Sequence, residues 1–116
     1  LSTFLRKKGL IFLEIPNVNG LAPRIMQSKC NMFDGLAHCN LYSIDTLELV
    51  AKKNGFSLVD AKTIISEISV LNNYLYYDDP YFGKSNYGLK LLDFIDEKKI
   101  HDNLLGYKLD VILQKD

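Results

Sequence analysis

The chain has 116 residues, 47% hydrophobic and 24% charged, the size and balance of one soluble globular domain. A chain of this length buries roughly two-thirds of its unfolded surface on folding, so neither metal nor disulfide scaffolding is required. Fourteen Lys and Arg balance fourteen Asp and Glu for a formal charge of zero, which leaves no electrostatic footprint for nucleic acid. Cys30 and Cys39 are too few for a secreted disulfide framework, and two thiols suit a reducing, cytoplasmic setting. The longest apolar stretch, Leu10 to Leu13, stops at Glu14, far short of the ~20 residues a membrane-spanning helix needs. The N-terminus lacks the order of a secretory signal, because Arg6, Lys7 and Lys8 follow apolar residues instead of preceding them.

Leu1, Phe4 and Leu5 stand at i, i+3, i+4 spacing, and Arg6, Lys7 and Lys8 lead into Gly9. This predicts the last turn of a helix, with cations at its carbonyl end and glycine at the cap. It carries the expectation that the chain was cut from a longer one. Leu10 to Ile15 is apolar on both faces and closed by Pro16 and Asn17, which predicts an interior strand covered on both sides by helices. Helix end, glycine, buried strand and polar loop are together the punctuation of an open parallel sheet, whose ligands bind beyond the strands' carboxyl ends.

From Val18 to Asn40 no period holds, and Gly20, Pro23, Asn31, Asp34 and Gly35 punctuate the segment, although Ile25 to Met32 has room for a short helical turn. A structureless connection of this length is uncommon in a compact domain and points to a lid or binding loop. Ser43 then offers an N-cap, with Ile44, Leu47, Val50 and Ala51 on one stripe and Asn54-Gly55 at the end, which predicts a helix. Phe56 to Thr63 reads as a strand, and its polar Ser57, Asp60 and Lys62 place it at an edge.

Ile64 to Tyr77 reads as helical at least in part. The stretch from Tyr74 to Gly83 reads as an aromatic-rich loop. Asn86 to Asn103 predicts one broken or two short helices, with Asp96 capping the second. A last strand runs from Tyr107 to Gln114, with Tyr107, Leu109, Val111 and Leu113 facing one way and Lys108, Asp110 and Gln114 the other.

The run Phe4-Leu5-Arg6-Lys7-Lys8-Gly9-Leu10-Ile11-Phe12-Leu13-Glu14-Ile15-Pro16-Asn17 resembles the L-K-P-G-G-x-h-h-h-E-h-P-N segment of class I S-adenosylmethionine-dependent methyltransferases, where h is apolar and Lys8 here replaces the first glycine. His38, Leu41, Tyr42, Ser43, Thr46, Leu47, Gly55 and Phe56 resemble that family's H-x-x-h-[YF]-S-x-x-x-L…x-G-F stretch. The resemblance implies an α/β fold: the C-terminal part of a Rossmann-like methyltransferase sheet, about three strands with flanking helices. Leu10 to Ile15 would be the fifth strand, Phe56 to Thr63 the sixth, and Tyr107 to Gln114 the seventh, antiparallel and inserted between the other two.

The family's Gly-x-Gly-x-Gly turn and its acidic residue after the second strand have no counterpart in this sequence. Residues 1–116 therefore read as a single partial domain with no cofactor-binding residues of its own. The parent would transfer a methyl group from S-adenosylmethionine to a small-molecule acceptor, and this segment alone would be inactive.

The resemblance also nominates site residues. His38 is the candidate base, because imidazole titrates nearest neutral pH; the competing reading is a histidine that pins the loop by hydrogen bonding. Glu14, an acid in an apolar strand, either approaches the cleft or finds an ion-pair partner. Asn17 either hydrogen-bonds substrate or forms a turn. Tyr42 either contacts substrate or packs in the core. Cys30, Asp34, His38 and Cys39 do not read as a metal site, since there is no C-x-x-C and neighbouring His38 and Cys39 point apart. His101 reads as a solvated helix residue.

The cluster Tyr74, Tyr76, Tyr77, Tyr81, Phe82 and Tyr87 supports a second reading, a non-catalytic α/β module that holds another protein through residues 74–87. Without a neighbouring strand, Leu10 to Ile15 would leave an apolar edge, which predicts self-association.

Overall fold

The computed structural model describes residues 2–74 and 95–116. Among them the chain is α/β: a three-stranded sheet with flanking helices. Strand β1 spans Leu10–Pro16, β2 Phe56–Ile64 and β3 Lys108–Lys115. Helix α1 spans Leu21–Met26, α2 Ile44–Lys53, α3 Ile68–Tyr74 and α4 Glu97–Asp102.

The strand order is β1-β3-β2, and β3 pairs antiparallel with both neighbours. Its place follows from its side chains. Leu109, Val111 and Leu113 are buried on one face, and they meet Ile15, Leu13 and Ile11 of β1 and Thr63, Ala61 and Leu58 of β2 across the ladder. The ladder of β2 slips between Leu58 and Asp60, and Val59 at the slip is exposed. Among the described residues β2 is an edge strand, as its polar residues foretold.

The expected interior position of Leu10 to Ile15 is not what the described residues show. There β1 is the opposite edge, with Leu10 57% and Phe12 61% exposed on the face away from α2. Its only ladder partner among them is β3.

Helix α2 starts where Ser43 and Thr46 form a reciprocal capping box: the Ser43 hydroxyl accepts from the Thr46 amide at 3.2 Å, and the Ser43 amide donates to Thr46 Oγ1 at 2.9 Å. Two otherwise unpaired backbone donors of the first turn are satisfied in this way. The helix ends at Asn54, followed by Gly55 at φ +76°, a left-handed conformation that glycine adopts without a Cβ clash. Leu47 and Ala51 then pack with Phe56, Leu109, Val111 and Leu113 to form the main core.

A second cluster joins Ala22, Met26, Cys30, Met32 and Leu71, with Tyr74 and Tyr107 against it. Apart from Leu71 and the two tyrosines it is built from the segment in which no period held. Gly20 and Pro23 had read as breakers, but Pro23 lies in the first turn of α1, where a backbone N–H is not needed for the helix ladder. Short 3-10 turns at Gln27–Lys29 and Asn31–Phe33 follow.

The opening helix turn is a 3-10 turn, Ser2–Phe4. Phe4 is exposed while Leu5 packs against the main core, so the two do not share a buried stripe. Within Ile64 to Tyr77, residues 65–67 are non-helical and α3 begins at Ile68. Asp96 caps α4 as expected, accepting from the Lys99 amide at 2.7 Å.

Candidate functional site

The chain leaves β1 through Pro16 and Asn17, and the two family-like blocks meet at this point. Asn17 forms a parallel bridge with Tyr42, and the Val18 amide donates to the Tyr42 carbonyl at 3.1 Å. The segment between them, carrying His38, therefore begins and ends beside the carboxyl end of β1.

Asn17 itself is 1% exposed. Its side-chain nitrogen donates to the carbonyls of Leu104 and Gly106, both at 2.9 Å, and its Oδ1 accepts from the Asn19 amide at 3.1 Å. Both amide hydrogens are thus engaged in tying β1 to the turn before β3, the turn-forming alternative for this residue.

Tyr42 packs against the main core and lines an apolar groove of about 460 Å³ with Ile11, Leu13, Ile15, Leu47 and Val50. Glu14 lies on the other face of β1, because side chains alternate along a strand. There it accepts from Lys108 Nζ at 2.5 Å, so of its two alternatives the ion pair is realised. Its cross-strand neighbour is Asp110, a second carboxylate, and like charges opposite one another are unfavourable. Lys108 beside Glu14 and Lys62 at 3.7 Å from Asp110 offset that repulsion. Asn17 and Tyr42 are therefore brought together, and Glu14 is not.

His38 is exposed on the loop after the 3-10 turn Asn31–Phe33. The loop is folded by Asp34, whose Oδ1 accepts from the amides of Leu36 and Ala37 at 2.9 and 3.2 Å. These two bonds hold the Asp34 carboxyl below its ordinary value, and the charge of His38 contributes in the same direction. Asp34 and His38 are thus in electrostatic reach of each other on an open surface. Cys39 is exposed beside them and Cys30 is buried; among the described residues no three His, Cys, Asp or Glu side chains gather as a metal ion would require.

Two groups were not singled out from the sequence. Tyr107 stands before β3 instead of within it, donates its hydroxyl to Asn31 Oδ1 at 2.5 Å, and has its pKa pushed up to about 12, chiefly by burial and then by the negative charge of neighbouring groups. Glu67, half-buried at the start of α3, has its carboxyl raised by burial. It follows Ile65 in a connection where both residues take positive φ, +61° for Ile65 and +57° for Glu67. A pattern of apolar spacing carries no mark of such backbone, and both residues lie in the segment 64–77 that reads as helical only in part.

His101 is also better held than a solvated residue: its Nδ1 and Thr63 Oγ1 are 3.0 Å apart, and the same hydroxyl accepts from the Gly106 amide at 3.2 Å. Apart from Tyr74, which packs from the end of α3 onto the second cluster, the aromatic stretch 74–87 lies outside the described residues. No helix of the described residues is long and apolar enough to cross a membrane. No protein family, curated protein or solved structure matches this chain.

Proposed function

We propose that this chain is the acceptor-side, C-terminal part of an S-adenosylmethionine-dependent methyltransferase of the Rossmann-like kind, acting on a small molecule in the cytoplasm. The observation that carries the reading is the antiparallel strand β3 lying between β1 and β2, together with the bridge that joins the E-I-P-N block to the Y-S block at Asn17 and Tyr42. Lys8 adds support. It occupies the position of the family's first glycine and adopts φ +64°, the left-handed conformation for which glycine is the usual residue.

Among the described residues, those at the carboxyl end of β1 do not fit the methyl donor. At the carboxyl end of β1, Asn17 is committed to backbone carbonyls, Glu14 to Lys108, and no glycine-rich turn faces a helix N-terminus as a nucleotide-like ligand requires. The donor site belongs to residues outside this chain.

The chain's own contribution is to bind and orient the acceptor and to take its proton. His38 is the base, on an open loop whose shape Asp34 fixes, and the buried Asn17 amide holds the point from which that loop departs. Positioning and proton removal are what a displacement at a sulfonium methyl asks of a protein.

The test is methyl transfer from labelled S-adenosylmethionine by the full-length protein carrying this segment, beside calorimetry of the 116-residue chain with the same donor. Transfer by the long protein, with no donor binding by the short chain, is expected. Tight donor binding by the short chain, or no transfer by the long one across a broad panel of small acceptors, overturns the reading.

A further inference from the structure

Between Met32 and Leu41 the loop has no side chain in the core: every residue from Phe33 to Asn40 is exposed. A stretch without burial depends on hydrogen bonds for its shape, and the bonds of this one form a series that leads to His38. The Tyr107 hydroxyl donates to Asn31 Oδ1 at 2.5 Å. The Asn31 carbonyl accepts from the Asp34 amide at 3.3 Å, and Asp34 Oδ1 accepts from the amides of Leu36 and Ala37. His38 is the next residue.

Tyr107 is the fixed end of that series. Its amide donates to the Ile65 carbonyl at 2.7 Å, and its carbonyl accepts from the Asn17 amide at 2.8 Å. Its backbone is therefore held at once by the residue that follows β1 and the residue that follows β2. Its ring packs against the second cluster. A phenylalanine would fill the same space, so packing alone leaves the hydroxyl unexplained. Burial and the neighbouring negative charge push the phenol up to about 12, and the hydroxyl keeps the proton it donates throughout the neutral range.

We propose that Tyr107 is the positioning residue for His38: through Asn31 and Asp34 its hydroxyl sets where the imidazole stands beyond the carboxyl ends of β1 and β2. This role rests on the reading of His38 as the group that takes the acceptor's proton. Proton removal needs the base within about 2.6–3.2 Å of the proton's own heavy atom, a precision that an exposed loop lacks and a sheet end supplies. The hydroxyl is spent on Asn31, so Tyr107 acts through the loop and not on the acceptor.

Tyr107→Phe keeps the ring and removes the bond. In the 116-residue chain, NMR should show the backbone order parameters of residues 36–38 falling and the ring resonances of His38 moving toward those of a free peptide, with the order parameters of β3 unchanged. In the full-length protein carrying this segment, kcat for methyl transfer should fall about tenfold at unchanged KM. Asn31→Leu removes the acceptor of the same bond. Combined with Tyr107→Phe, it should cost no more than the larger single change.

Order parameters and His38 resonances indifferent to Tyr107→Phe overturn the proposal, and so do additive effects of the two changes. Unchanged kcat in an active Tyr107→Phe parent overturns it too, while leaving His38 as the base. A wild-type parent that transfers no methyl group overturns the functional reading instead, and the NMR comparison then decides alone whether Tyr107 holds the loop.

Discussion

The side-chain nitrogen of Asn17 donates to the carbonyl oxygen of Gly106 at 2.9 Å, both groups buried. A single amide at the end of β1 thereby fixes the turn that launches β3, and the same amide reaches Leu104. Asn17→Ala leaves two carbonyls without that donor, and unsatisfied buried polar groups cost about 1–3 kcal/mol each. We expect about 2–4 kcal/mol lost in urea unfolding, the exposed rim of the Leu104 carbonyl softening the total. Asn17→Asp should do no better, since a carboxylate cannot donate.

Gly106 is small for a packing reason. A Cβ there would stand 2.7 Å from Thr63 Cβ and 2.9 Å from His101 Nδ1, and the backbone of this turn has little freedom to yield because Asn17 and Thr63 both hold it. Gly106→Ala should destabilise by about 1–3 kcal/mol, the range for overpacking a tight site. The measurement is the denaturant midpoint at unchanged slope.

Ile65 is a β-branched residue at φ +61°, where the L-configuration costs about 1–2 kcal/mol. Its carbonyl accepts from the Tyr107 amide at 2.7 Å, so the strained backbone is held by a bond that a side-chain change keeps. Its side chain is 46% exposed, so little packing is lost by shortening it. Ile65→Asn should raise stability by about 0.5–1 kcal/mol, read as a higher melting temperature.

Burial raises the Glu67 carboxyl above its ordinary 4.5. The folded chain then binds this proton more tightly than the unfolded one. The resulting stability is full below the unfolded value and is lost as pH rises through the folded one. Glu67→Gln is neutral throughout and escapes that loss. Its melting temperature should match the wild type in acid, exceed it by a margin that opens as pH rises above 4.5 through the raised value, and keep that margin (about a degree or two at most) at higher pH.

His38 is exposed, and among the described residues no side-chain hydrogen bond anchors it to the core, so His38→Ala should leave thermal unfolding unchanged. In the full-length protein it should lower methyl transfer by about 10²–10⁴-fold, the usual contribution of a positioned general base. Loss of activity with KM unchanged separates proton removal from acceptor binding.

The elements that could be read from the sequence are those whose local chemistry decided them. Ser43 and Asn54-Gly55 marked both ends of α2, and the alternation of Leu109, Val111 and Leu113 marked the buried face of β3. Polar residues marked β2 as an edge. What escaped reading depended on contacts far apart in the chain.

Pro23 looked like a breaker because its first-turn position could not be known without the helix. Asn17 could serve as a turn or as a substrate contact until Leu104 and Gly106 were beside it. Glu67 gave no pattern, because burial and positive φ are imposed by neighbours, and the alternation that placed Tyr107 in β3 carried no sign of its bond to Asn31. His101 looked solvated until Thr63 stood next to it.

The central place of β3 also bears on biosynthesis. Residues 108–115 leave the ribosome after both strands that they bridge, so neither β1 nor β2 can close its ladder with β3 while the intervening chain is being made. Such distant pairings form slowly, and the nascent polypeptide carries Leu10-Ile11-Phe12-Leu13 uncovered for most of its elongation, the kind of segment that chaperones shield. A stop codon just before Lys108 would remove the one strand both ladders share, and the shortened product should fail to form this sheet.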